Sequence, residues 1–211
     1  MKKIFSPKHR FIIPFKITTC VMLCMVSFMS TYAQTGTYEI KATKGAYGIL
    51  SFEKTGNRVK AEIFTWWNTP SAQTGSYLGE GVLKNNTVVL KSEENDPGCK
   101  VTLSVIQGKI KASFINCSTD HLTDDFNGLY SKITDAVAGN YVITVPRAYF
   151  YKTPAAGSKQ KAYVLKGDQV RLDIDRIGAS KQNWVYVYFT GKTGKETAGY
   201  IPLSELKKIE E

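Results

Sequence analysis

The chain has 211 residues, with 28 Lys and Arg against 18 Asp and Glu, four cysteines and two histidines. A length in this range fits one or two domains. The cysteines lack the spacing and the partner ligands of a zinc site, and no segment after the leader is apolar enough to cross a bilayer.

Residues 1–33 read as a secretory signal. Lys2, Lys3, Lys8, Arg10 and Lys16 make a basic start with no acid. An apolar run from Ile17 to Phe28 follows, then Thr31-Tyr-Ala33 as a peptidase site before Gln34. This is the three-part pattern of an export signal, and its apolar core is short of the ~20 residues that span a membrane. An uncleaved anchor is the alternative reading. Leu23 before Cys24 argues against lipid attachment, which wants a small residue there. Cleavage after Ala33 predicts a periplasmic or secreted protein.

Removing the leader redistributes the charge. Residues 34–139 hold 11 bases and 11 acids, whereas residues 140–211 hold 12 and 7. The surplus of +5 in the mature chain therefore lies in the C-terminal part, which favours an anionic partner there. It is too small to suggest nucleic acid. Cys20 and Cys24 leave with the leader, and the remaining pair, Cys99 and Cys117, reads as one disulfide in an exported chain.

Residues 36–133 read as strands throughout. Residues 37–41 alternate, 47–52 follow, and Thr55-Gly-Asn57 makes a turn. Along residues 58–66, Val59, Ala61 and Ile63 share one face while Lys60 and Glu62 take the other, the period of a half-buried strand. Further strands are expected over 77–83, 87–90, 99–106, 109–115 and 127–133, with an acidic turn at 93–98. Eight strands at this spacing predict an antiparallel barrel or sandwich.

The hairpin around Gly108 contains a conflict of parity. Pairing Val101, Leu103 and Val105 with Ile110, Ala112 and Phe114 gives odd residue sums, whereas Cys99 with Cys117 gives an even one. A regular ladder cannot satisfy both. An extra residue or irregular break is expected near Ile115-Asn116.

After the loop-like residues 134–140, where a domain boundary is expected, short strands recur at 141–145, 147–151, 162–165, 170–174, 184–189 and 198–201. Residues 202–206 read as a single helical turn. Such a set predicts a second, small barrel.

Four features of this part arrive in a known order. They are an aromatic strand before a proline loop (Ala148 to Pro154), a Leu165-Lys-Gly-Asp168 turn, a Trp184-Val-Tyr-Val187 strand and a Gly199-Tyr-Ile201 ending. On these residues the chain resembles the bacterial Src-homology-3-like domain over about 140–208. The resemblance implies export and recognition of cell-wall peptides, or tethering to the wall. The N-terminal part resembles small secreted β-barrel modules, some of the lysozyme-inhibitor type, on Gly36-Thr-Tyr38, Gly79-Glu-Gly81, Cys99, Cys117 and Asp125 to Tyr130.

Alternation divides the aromatics into two sides. Val185, Val187 and Phe189 point one way, and Trp184, Tyr186 and Tyr188 the other. Ala148 and Phe150 likewise oppose Tyr149 and Tyr151. With the valines in the core, Tyr149, Tyr151, Trp184, Tyr186 and Tyr188 become candidates for a ligand-binding face, because rings with polar tips bury area and still hydrogen-bond. Packing on the first domain is the other use of that face. Arg147, Lys152, Lys159, Lys161 and Lys166 lie near it and suit carboxylates or phosphates. Of Trp66 and Trp67, the outward ring is expected at an interface between the two domains.

Catalytic chemistry finds little to use. His121 is alone in the mature chain, in an acidic loop. There is no nucleophile elbow, zinc-peptidase helix motif or phosphate loop. The acids at 93–96 lack the ligand spacing of a calcium loop. The sequence therefore reads as an exported all-β, non-catalytic binding protein of the bacterial cell envelope, without a cofactor. Its signal would cover 1–33, a disulfide-bearing barrel or sandwich 34–135, and a Src-homology-3-like barrel 140–208. The expected partner is a peptidoglycan peptide or an envelope protein. The alternative is an inhibitor of a lysozyme-type enzyme acting through the N-terminal part, and a third reading is a hydrolase accessory protein or cryptic enzyme.

Overall fold

The computed structural model describes residues 35–178 and 183–209, so the signal segment expected over 1–33 lies outside the described residues. Among the described residues the fold is all-β with one short α-helix. Eight strands form the first sheet: β1 (Gly36–Lys41), β2 (Tyr47–Thr55), β3 (Arg58–Trp66), β4 (Thr74–Val82), β5 (Thr87–Val89), β6 (Lys100–Ile106), β7 (Lys109–Ile115) and β8 (Gly128–Thr134). Their order is β4-β3-β2-β1-β8-β7-β6-β5, every neighbour being antiparallel. This is a meander whose two ends come round to meet. Glu80 of β4 and Lys91, just past β5, exchange both backbone hydrogen bonds at 2.9 and 2.8 Å, leaving a nearly closed barrel.

Glycine makes that closure sterically feasible. A Cβ at Gly79 would lie 2.8 Å from the Lys91 carbonyl, and one at Gly81 would lie 2.6 Å from that of Val89. Only a residue without a side chain lets the last strand approach so closely. Inside, Tyr38, Phe52, Ile63, Leu103, Phe114, Phe126 and Tyr130 fill the barrel. Val59, Ala61 and Ile63 face inward as their alternation predicts.

The cysteine hairpin resolves its parity conflict at one residue. The β6–β7 ladder runs unbroken from Ile106↔Lys109 to Lys100↔Ile115, with the apolar sets facing each other. Asn116 then takes a left-handed conformation, φ 58°, which asparagine tolerates better than most side chains. That reversal brings Cys117 opposite Cys99, and the two form a disulfide.

The second sheet holds β9 (Gly139–Ile143), β10 (Arg147–Tyr151), β11 (Lys159–Leu165), β12 (Gln169–Leu172), β13 (Trp184–Thr190), β14 (Glu196–Pro202) and β15 (Leu206–Lys208). Their order is β11-β10-β14-β13-β12-β9-β15. One face of this sheet carries a second core that includes Tyr141, Phe150, Val164, Val170, Leu172, Val185, Val187 and Ile201. Two details differ from the sequence reading. Ile174 ends no strand; it opens α1 (Ile174–Ile177), whose Ile174 and Ile177 are both buried. The spacing of Val170, Leu172 and Ile174 suits a strand, while Ile174 and Ile177 suit a helical turn, and packing of α1 against β2 and β3 selects the turn. The three-residue β15, paired with β9, is too short to announce itself by alternation.

The two sheets are joined by a buried segment instead of an open loop. Ala136 and Val137 are almost fully buried. Thr37 Oγ1 donates to the Ala136 carbonyl at 2.7 Å, and the Ala138 N–H donates to Ser51 Oγ at 2.9 Å. The Tyr141 hydroxyl accepts from Val137 N–H at 3.0 Å and donates to the Val137 carbonyl at 2.8 Å. Burial pushes the Tyr141 phenol up to about 12, so it stays a neutral donor and acceptor. Nearby, α1 lies over the outer face of β2, where a Cβ on Gly178 would meet Ile49 at 3.0 Å.

Two outcomes follow from this seam. Tyr141→Phe removes a partner from both peptide groups of Val137, and urea unfolding should read a loss of about 1–3 kcal/mol; a change below about 0.5 kcal/mol would show that other groups replace the hydroxyl. Glu62 is half-buried on the outer face of β3, and its carboxyl is raised first by burial, then by Asp173, with Asp175 and Glu94 adding and Lys60 opposing. A raised carboxyl holds its proton more tightly folded than unfolded. Its ionisation therefore costs stability in full above the folded value, and that cost disappears below the unfolded one. Glu62→Gln should raise Tm at pH 7.5, with the gain vanishing near pH 4, as read by thermal unfolding at both pH values.

Candidate binding face on the C-terminal sheet

Alternation places the candidate rings because their neighbours are held inside. Val185 and Val187 are fully buried, so Trp184, Tyr186 and Tyr188 of β13 project from the opposite face, where each is half-buried. In β10, Ala148 and Phe150 point inward and Arg147, Tyr149 and Tyr151 outward. In β14, Ile201 points in and Tyr200 out. In the edge strand β11, Val164 points in and Tyr163 out, the latter 45% exposed.

Strand register then assembles these rings. Tyr200 stands opposite Tyr151 on one side and Tyr186 on the other. Tyr149 stands opposite Tyr163. Ring centroids lie 4.8 Å apart for Tyr151–Trp184, 5.1 Å for Tyr186–Tyr200, 5.5 Å for Tyr186–Tyr188 and 5.6 Å for Tyr149–Tyr163. The first three pairs meet edge to face and the last is tilted, arrangements in which ring edges approach ring faces favourably. All five rings expected from the sequence thus share one face, joined by Tyr163 and Tyr200. Those two were readable in principle, since each sits beside a buried aliphatic, Val164 or Ile201, in an alternating stretch. Tyr163 belongs to the edge strand, and its place beside Tyr149 is fixed by a pairing that the local pattern does not contain.

The cations are unevenly placed. At one end Arg171 lies over Tyr188 at 5.5 Å, and Arg176 lies over Tyr186 at 5.6 Å while donating to the Tyr188 hydroxyl at 3.2 Å. These two have carboxylate partners: Arg171 binds Asp173 at 2.6 Å, and Arg176 lies 3.8 Å from Asp175. At the other end Arg147 lies over Tyr163 at 4.3 Å and donates to the Tyr149 hydroxyl at 3.3 Å, and Lys159 sits 3.5 Å over the Tyr149 ring. Of the five bases expected near the face, Arg147 and Lys159 reach its rings. Lys152, Lys161 and Lys166 stay exposed, with no ring contact among the described residues. The hydrogen bond from Arg147 holds the Tyr149 phenol below its ordinary value, helped by the charges of Arg147 and Lys159.

The N-terminal barrel meets the second sheet through residues 136–138, α1 and a Lys208–Glu53 ion pair at 3.7 Å. Among the described residues, none of the seven rings makes a hydrogen bond or ring contact with that barrel. Trp67 caps the end of the barrel, its ring 4.9 Å from Phe126 and its Nε1 donating to the His121 carbonyl at 3.3 Å. Trp66 lies on the outer face of β3 with Glu62 and Phe64, the strand against which α1 packs. His121 contributes its carbonyl to that end closure, which Thr65 Oγ1 also meets at 3.4 Å. In the acidic turn, Asp96 accepts from Gly98 N–H at 2.7 Å and from Thr119 Oγ1 at 2.9 Å. These bonds, the backbone one foremost, hold its carboxyl below the usual range. Asn95 Nδ2 donates to Asp120 Oδ1 at 3.0 Å, so the turn is tied to the segment after Cys117.

Comparison with protein-family models, with curated proteins and with solved structures finds no match.

The position of Tyr149 between two cations gives a direct test. In a chain carrying tyrosine labelled at Cζ, the Tyr149 carbon resonance should titrate below the ordinary phenol value of about 10. Arg147→Gln should move that midpoint up towards the ordinary phenol value of about 10, and an unmoved midpoint would deny the hydrogen bond its role.

Proposed function

We propose that the chain is an exported, non-catalytic binding protein of the bacterial cell envelope that recognises peptidoglycan peptides through the outer face of its C-terminal sheet. The observation that carries this reading is the run of seven half-exposed rings across β10, β11, β13 and β14, flanked by cations at both ends. Rings already packed edge to face present a large amphipathic surface at little further entropic cost, which suits recognition of short chains. The export signal expected before Gln34, the disulfide and the Src-homology-3-like order of motifs from Ala148 to Ile201 support the same assignment.

Retention of the mature chain on purified peptidoglycan tests it. The chain should be retained at low salt, and Trp184→Ala and Tyr151→Ala should each cut retention at least tenfold with unchanged far-ultraviolet dichroism. No retention at low salt would end this reading. Inhibition of lysozyme clearance by the same chain, without retention, would move the function to the N-terminal barrel.

A further inference from the structure

We propose that Arg147, Tyr149 and Lys159 form a receptor for the free carboxylate of a peptide whose body lies across the rings towards Trp184. The inference rests on the binding reading above and names the chemical group that the face selects.

The geometry of the three side chains carries it. Arg147 Nη1 donates to the Tyr149 oxygen at 3.3 Å, so the phenol's own proton is free to be donated elsewhere. Lys159 Nζ stands 3.5 Å over the same ring. The guanidinium is itself seated on Tyr163 at 4.3 Å, which holds its plane against a ring and leaves further N–H groups unspent. Two cations are thus held against one phenol, and the three groups can offer donors to a single oxyanion. Charge-assisted bonds of this kind are about twice as strong as neutral ones.

The three aspartates of the C-terminal part are engaged elsewhere. Asp173 binds Arg171, Asp175 lies by Arg176, and Asp168 Oδ2 accepts from the Leu165 N–H at 2.8 Å. Glu205 is half-buried and feels the charge of Lys159, yet no ion pair joins them among the described residues. Arg147 likewise has no carboxylate within ion-pair distance among the described residues. Among the described residues, then, neither cation on Tyr149 has a carboxylate within ion-pair distance, and Glu205 is the acid whose charge Lys159 feels. The lowered Tyr149 phenol makes it a better donor to an anion. Rings alongside favour an anion attached to an organic chain over a bare ion. A phosphate-bearing wall polymer would supply the same oxyanion chemistry, so the test separates the two sources.

The full exported chain, labelled at tyrosine Cζ, is titrated with acetyl-dialanine, with its C-terminal amide and with glycerol phosphate. The free-acid peptide should displace the Tyr149 resonance saturably and the amide should not. Arg147→Gln and Lys159→Gln should each weaken that binding at least tenfold, whereas Lys192→Gln, on the β13–β14 loop, should leave it unchanged. Equal displacement by the amide, displacement by glycerol phosphate alone, or none by any probe overturns the assignment. A second measurement compares retention on peptidoglycan before and after methyl esterification of its carboxylates. Loss on esterification supports the receptor. Equal retention overturns the carboxylate while leaving the binding reading standing, and absence of retention from both overturns the binding reading, with the titration still deciding the receptor.

Discussion

The arrangement of this protein depends on three residues between its sheets. Residues 136–138 would be an ordinary connection if their peptide groups faced water. Instead the Ala136 carbonyl, both polar groups of Val137 and the Ala138 N–H are met by Thr37, Tyr141 and Ser51. Buried peptide groups need such partners, since each one left unpaired costs about 1–3 kcal/mol. Two of the partner side chains come from the first sheet and one from the second. The connection therefore binds to both, and the sheets form one compact unit. That in turn sets which surface of the second sheet is covered. The seam uses α1, Tyr141 and Lys208, and α1 also borders the aromatic face, where Arg176 lies over Tyr186 and donates to the Tyr188 hydroxyl.

The N-terminal barrel is solid. Tyr130 is buried in its interior, donating to the Phe126 carbonyl at 3.1 Å, and Gly48 makes room for its hydroxyl, because a Cβ there would stand 2.6 Å from that oxygen. Burial pushes the Tyr130 phenol well above its ordinary value. A core packed in this way stiffens the barrel wall to which α1 attaches. On that outer wall a groove of about 520 Å³ is lined by Arg58, Lys60, Glu80, Lys91, Glu93 and Glu94. Its charges are of both signs, and Arg58 pairs with Glu80 at 3.7 Å. The contrast with the aromatic face is one of balance. The groove matches its own charges, whereas the β10–β11 end of the face does not.

The aromatic face is organised before any ligand arrives. Each ring of the Trp184–Tyr151 and Tyr186–Tyr200 contacts is braced by another ring, and edge-to-face pairs are worth about 0.5–1.5 kcal/mol beyond the area they bury. The cations are braced as well, seated on ring faces instead of extended into water. Side chains already ordered lose less freedom on binding than free ones do.

Local pattern alone determined several things about this protein. Strand alternation sorted Val185 and Val187 from Trp184, Tyr186 and Tyr188, and Val59, Ala61 and Ile63 from Lys60 and Glu62, because a period of two is a property of one strand and needs no partner. Parity of residue numbers located the irregularity beside Cys117, since apolar pairing and the cysteine pair demand different registers. Tertiary structure decided the rest. The helical turn at Ile174, the strand at Leu206, the burial of residues 136–138 and the placing of Tyr163 and Tyr200 among the other rings all depend on contacts between residues far apart in the chain. Such contacts are set by which strands pair and what each surface packs against. Neither is written in the spacing of neighbouring residues, and for that reason the sequence announced an aromatic side while the fold decided which rings and cations meet on it.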